Sequence, residues 1–192
     1  MPNAEEVGFP PKTLGVWRAL DGAGRQLWLK LACRRHFDLA ERGMNRRGEP
    51  GSVFTIDGCS FDDYPGFFCA VGEAVNGPGG YFGSGLESFD DCLFGGFGLE
   101  SPCTLVWKNV SVSRRVLGPN VLRKHCEEWI ANVDADQDPE SFAEGRASAV
   151  ASLERAQRGE RTMFDELVEL IRSVPERHLS RRDWRIILVL EE

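Results

Sequence analysis

The sequence predicts an α/β protein with a parallel sheet, and three observations carry that reading. The run Ile186–Leu190, IILVL, is unbroken and apolar, as in a central strand covered on both faces. From Val53 onward, strand-like and helix-like segments follow the order β-α-α-β-α…α-β. Strands separated by helices are joined by crossovers and lie parallel. Apolar residues recur at helical spacing behind recognisable caps, which fixes where the helices start.

Taken in order, Leu14–Leu20 and Gln26–Leu31 are short apolar stretches flanking Asp21-Gly22-Ala23-Gly24. An Asp-Gly turn between two such runs predicts a β-hairpin. Arg34–Pro50 is basic, then carries Gly and Pro, and predicts a short helix followed by a linker. Val53–Ile56 is a β-prone run closed by Asp57-Gly58. Asp62 or Asp63 is placed to cap a helix with Pro65 in its first turn. That helix carries Phe67, Phe68, Val71, Ala74 and Val75 and stops at Asn76-Gly77-Pro78. A second short helix holds Leu86, Phe89 and Leu93 on one stripe with Cys92 beside it, and ends at Gly95-Gly96. Thr104–Trp107 is the next strand, and Ser111 is placed to open another helix. Leu122, Cys126, Trp129, Ile130 and Val133 continue a helical stripe up to a polar break at Asp134–Asp138. Asp138-Pro139 caps an Ala-, Glu- and Arg-rich helix that runs to about Ala156 and is followed by Gly159. Thr162 with Asp165 forms a capping box for a last helix bearing Phe164, Leu167, Val168, Leu170 and Ile171, which Pro175 is expected to end.

Composition narrows the function classes. With 42% hydrophobic and 28% charged residues in 192, the chain has the make-up of an ordinary globular protein. No apolar run approaches the roughly 18 residues that span a bilayer. The start, MPNAEEVGF, is acidic and lacks the apolar core of a signal peptide, so a cytoplasmic location is expected. Cys33, Cys59, Cys69, Cys92, Cys103 and Cys126 form no C-x-x-C pair and are expected as free thiols. Cys33 and His36 could form half a metal site, but no second pair follows, and no metal or other cofactor is expected.

The charge is unevenly placed. Net charge is −7, and between Thr55 and Ser113 there are eight acids against the single base Lys108. That segment carries the entire imbalance, because the rest of the chain has 22 acids and 22 bases. A field of one sign attracts a basic partner and repels nucleic acid. An acidic run can also serve only as a solvated face. Here it adjoins Gly80–Gly96, where Gly80, Gly83 and Gly85 surround Tyr81 and Phe82 ahead of the acidic helix. Glu87 and Asp91 are four residues apart and share one helical face, at a cost of a few tenths of a kcal/mol, about 0.2–0.5. A local cost without a local gain points to a strongly positive partner.

The run Tyr81-Phe82-Gly83-x-x-Leu86-Glu87-x-x-x-Asp91-Cys92-Leu93-x-Gly95 has a specific order and spacing. Together with Leu105-Val106-Trp107 in a strand and Ile186-Ile187-Leu188 at the end, it resembles the barstar family of ribonuclease inhibitors. The resemblance covers Val53–Trp107 well and Phe164–Leu190 in part. It implies a three-layer domain with a small three-stranded parallel sheet flanked by helices, here with an N-terminal β-hairpin and a helical insertion. The expected division is residues 1–50 as hairpin and linker and residues 51–192 as the barstar-like domain, with the insertion over about 118–160. It implies a non-catalytic inhibitor of a basic ribonuclease or toxin protein, contacting neither membrane nor nucleic acid. Carried over by position, the loop tyrosine is Tyr81 and the helical carboxylates are Glu87 and Asp91. Gly83, Gly85 and Asp90 complete the expected contact set. There are departures: the family's loop Asn is Gly85, its helical Trp is Asp90, the Trp after the helix is Gly96, and a carboxylate of the last helix falls near Ser173. The contact surface is therefore retuned, and a target other than barnase is implied.

Two other classes compete. A cysteine nucleophile needs a histidine base, and His36, His125 and His178 are all far in sequence from Cys92. The chain has no G-x-S-x-G, P-loop or dinucleotide fingerprint, so catalysis is not expected. A regulatory or scaffold module that binds another basic protein remains the alternative.

Overall fold

The computed structural model describes residues 7–134, 142–177 and 184–192. The expected cap at Asp138-Pro139 and most of the polar break before it lie outside those residues. The chain divides into two compact units, one built from residues up to Val112 and from Glu169 onward, the other from Ser113–Val168.

The first unit holds the sheet. Strands β1 (Val53–Asp57), β2 (Cys103–Lys108) and β3 (Ile186–Leu190) are parallel in the order β1-β2-β3. Phe54 pairs with Leu105, and Leu105 with Leu188. Phe54 and Ile56 of β1 and Cys103, Leu105 and Trp107 of β2 alternate inward, the period-2 pattern of a pleated strand. The expectation that IILVL is the central strand is corrected. It is an edge strand, Ile187 is 55% exposed, and β2 lies in the middle. An apolar run reports β propensity, and the order of strands in the sheet is set by crossovers it does not encode.

The N-terminal β-hairpin is also corrected. Asp21 does not make a hairpin turn. Its Oδ1 accepts from the Gly24 N–H at 2.8 Å and caps helix α1 (Gly22–Glu41), after one 3-10 turn at Val16–Ala19. Arg25, Trp28, Leu29 and Ala32 recur at helical spacing and are all buried. That stripe, rather than the Asp-Gly pair, dictates the local structure. Helix α1 packs on α2 (Tyr64–Asn76). The Arg25 guanidinium, 6% exposed, bonds Asp62 and Asp63 and donates to the carbonyl of Arg18 at 3.2 Å. Burial alone would lower its pKa, but the two carboxylates outweigh that and hold it above its ordinary value.

Asp63 is the cap of α2, accepting from the Gly66 N–H at 2.7 Å, with Pro65 in the first turn as expected. Phe67 of α2 stacks on Trp107 of β2 (5.1 Å) and meets Phe89 of α3 (Leu86–Leu93) edge-on at 5.7 Å. An aromatic core thus joins sheet, α2 and α3. Helix α4 is Val110–Val116, so Ser111 lies inside the first turn instead of capping it. The residue before the helix is Asn109, at φ 52, whose amide donates to Asp57 Oδ1 at 2.7 Å.

In the second unit α5 (Pro119–Asp134) packs against α6 (Ala143–Gln157). Leu122, Cys126 and Val133 are its buried stripe. A side chain at Gly145 would crowd Trp129, with a Cβ only 3.0 Å from the ring. The capping box forms as expected. Thr162 Oγ1 donates to Asp165 at 2.6 Å, and the Asp165 N–H returns to Thr162 Oγ1 at 3.1 Å. Helix α7 (Met163–Arg177) runs past Pro175. A proline removes one intrahelical hydrogen bond, and this close to a C-terminus a single loss shortens the helix little.

Candidate protein-binding site

Three buried residues orient α3. Phe89, Cys92 and Leu93 face the core, so Glu87 and Asp91 fall on the opposite side, one turn apart and exposed. The start of α3 is tied by Ser88, whose Oγ accepts from the N–H groups of Ser84 (2.9 Å) and Gly85 (3.2 Å). Its end is held by Trp184, whose indole N–H donates to the Leu93 carbonyl at 3.1 Å. Gly95, at φ 97, passes beneath that indole, where a Cβ would stand 2.7 Å from the ring.

The Gly-rich loop lies just as close. Gly83 has φ 86, and a Cβ there would stand 2.6 Å from the Phe89 Cα. Both the backbone angle and the space demand glycine. Gly85 is extended and precedes the first turn of α3. These two expected contact residues therefore shape the loop rather than offer side chains.

Asp90 is engaged within the molecule. Arg177 of α7 grips it in a bidentate pair at 2.6 and 2.7 Å and lies 5.1 Å from the centroid of Phe94. Arg177 Nε also donates to Ser173 Oγ at 3.0 Å. Near Ser173, where the resemblance implies a last-helix carboxylate, this chain thus has a hydroxyl beside a cation. The pair spans 87 residues of sequence, and no local pattern announces it.

Tyr81, expected on the contact loop, is only 6% exposed. Its ring lies 5.9 Å from His36 and 6.2 Å from Phe97. Its carbonyl accepts from Asn76 Nδ2 at 2.8 Å, and the same amide reaches the Phe97 carbonyl at 2.9 Å. Burial pushes the phenol pKa up to about 12. Cover comes from α1, which supplies Cys33 and His36. Asn76, a helix stop by sequence, is in addition the clamp between the loops before and after α3.

His36 stacks on Phe97 at 4.8 Å, and its Nε2 accepts from the Asn45 amide at 3.2 Å. Burial lowers its pKa from the ordinary 6.5, so the folded protein prefers the neutral ring. That contribution is complete above the unfolded value and is lost as pH falls through the folded one. Stability by urea denaturation is therefore expected to fall more between about pH 7.5 and about pH 5.5 in the parent than in His36→Phe. Equal falls would show that His36 is not the responsible group.

Among the described residues no helix is long and apolar enough to cross a membrane. Comparison with curated proteins gave no match, and comparison with solved structures gave none. Residues 51–144 match the family model described as Barstar (barnase inhibitor). That span contains β1, α2, the glycine loop, α3 and β2, the elements that build the acidic face. With the three-stranded parallel sheet, it identifies residues 51–144 of this chain as belonging to the barstar family.

Proposed function

We propose that this protein is a non-catalytic inhibitor that binds a basic ribonuclease or ribonuclease-type toxin in the cytoplasm, with the acidic face of α3 covering the enzyme's active site. The observation that carries this reading is the exposed Glu87–Asp91 pair on a helix fixed from behind by Phe89, Cys92 and Leu93. A ribonuclease pocket gathers Arg, Lys and His to hold RNA phosphates. A carboxylate on a rigid helix can take a phosphate's place and form charge-assisted, often bidentate, bonds to Arg. Rigidity matters because less side-chain freedom is lost on binding. Gly83 and Gly85 set the loop that borders the face, Asp90 fixes its orientation through Arg177, and Tyr81 supports it from inside.

Capture from an extract of the source cells tests the proposal. The expected partner is a basic protein whose RNA cleavage stops when one equivalent of this chain is added. Its association rate should drop steeply with salt, as the screening length shrinks from about 30 Å at 0.01 M to about 3 Å at 1 M. An acidic partner, or an association rate indifferent to salt, overturns the proposal. A basic partner with no RNA-cleaving activity would favour the regulatory or scaffold alternative.

A further inference from the structure

The segment after α1 is lined up against the loop after α3, and a cavity of about 350 Å³ opens between them. Arg46, Arg47 and Asn45 stand on one wall, and Gly96, Gly98 and Glu100 on the other. The close approach is built in, because a Cβ on Gly48 would stand 2.6 Å from the Gly98 carbonyl oxygen. Within this cavity the two arginines are not neutralised by a carboxylate of the described residues, unlike the paired arginines elsewhere. Arg25 bonds Asp62 and Asp63, Arg161 bonds Glu166, and Arg177 bonds Asp90. Arg46 and Arg47 have no hydrogen-bond or ion-pair partner among the described residues.

We infer that this cavity is a binding site for a small phosphate ester that also carries hydroxyl groups, such as a nucleoside monophosphate or a sugar phosphate. Arg46 and Arg47 both line the cavity, and a guanidinium fork of donors matches the oxygens of a phosphoryl group. The cavity is too large for the phosphoryl group alone. At about 30 Å³ per water it has room for roughly ten waters, and it falls at the low end of small-molecule sites, about 300–1,000 Å³. Glu100 on the facing wall would repel a bare polyanion but accepts hydrogen bonds from hydroxyl groups, as acidic residues do from a ribose. Asn45 is fixed beside the cavity because its amide is held by His36. On the far wall Gly96 has open space where a Cβ would stand, so a ligand can approach its backbone closely.

Neither Glu87 nor Asp91 lines the cavity, so the test uses the full chain without any protein partner, and its failure leaves the inhibitor proposal standing. Calorimetric titrations at low salt compare 5′-AMP, ribose 5-phosphate, adenosine and inorganic phosphate. At least one phosphate ester is expected to bind saturably, tenfold or more tighter than adenosine or inorganic phosphate. Tighter binding of 5′-AMP assigns a nucleotide, and equal binding of the two esters assigns a sugar phosphate. Arg46→Ala and Arg47→Ala should each weaken the ester about tenfold or more, Arg46→Lys less, and Glu100→Ala should erase the preference over inorganic phosphate. Both arginines are exposed, so unchanged thermal melting will show that these variants fold. Absence of saturable ester binding, affinity that survives both alanine variants, or an RNA oligonucleotide bound where no mononucleotide binds would each overturn the inference.

Discussion

If α3 is the contact face, Glu87→Ala and Asp91→Ala should each weaken partner binding by about 2–5 kcal/mol, a loss of roughly 30- to several-thousand-fold, because truncating one member of a buried charge pair leaves the other desolvated and unpaired. In the barnase–barstar complex itself, the reference system for this family, close charge pairs couple by about 1.5–7 kcal/mol. The two acids differ in their effect on the free protein. Glu87 is in the first turn of α3, where a negative charge is favoured by the helix dipole. Asp91 lies in the last turn, where it is disfavoured, and it faces a like charge one turn earlier. Asp91→Ala should therefore raise the unfolding free energy by a few tenths of a kcal/mol, about 0.3–1, while binding collapses. Glu87→Ala should weaken binding without that gain. A site selected for contact is stabilised by its own removal, and a merely solvated face would show no change in binding. Surface plasmon resonance together with urea denaturation of the same variants reads both quantities. Unchanged affinity in Asp91→Ala removes α3 from the interface.

The strands themselves, α2, α3 and the caps of α2 and α7 were legible because each rests on a local rule, whereas the order of the strands was not. Asp63 with Pro65, and Thr162 with Asp165, are caps that need only their own turn of helix, and the structure contains both bonds. The acidic segment was legible as net charge but not as a surface. Of its eight acids, Asp62 and Asp63 bond Arg25, Glu73 is buried and accepts from the Gly15 N–H at 2.8 Å, and Asp90 bonds Arg177. A charge count weighs these equally with Glu87 and Asp91, because the compensating partners come from α1 and α7. Tyr81 was misplaced for the same reason. A tyrosine in a glycine-rich loop reads as exposed until the element that covers it is known. In α1 two local signals conflicted, the Asp-Gly pair and the Arg25-Trp28-Leu29-Ala32 stripe. The stripe prevailed because burying those side chains contributes far more than a turn preference.

That stripe has the largest expected effect on stability. Trp28 is fully buried and meets Phe9 edge-on at 5.1 Å, and Trp17, also fully buried, lies against the start of α2, where a Cβ on Gly66 would stand 3.4 Å from its ring. Trp28→Ala should lower the unfolding free energy by about 3–5 kcal/mol, the usual loss for a buried large aromatic. Against a total of about 5–15 kcal/mol for a domain, that is a large share. Removing residues 1–50 would take both tryptophans, Leu29, Ala32 and the Arg25 that bonds Asp62 and Asp63. The remaining chain would expose α2 and uncover Tyr81. Residues 51–192 alone should therefore melt far below the full chain or fail to fold, even though they contain all three strands of the described sheet and the acidic face of α3. Should they instead melt within a few degrees of it and bind the same partner equally well, α1 would be an appendage, and the boundary at residue 50 expected from the sequence would be a true domain edge. The intermediate case is equally informative. A folded 51–192 fragment with altered affinity would mean that α1, by covering Tyr81, helps decide which ribonuclease the acidic face accepts.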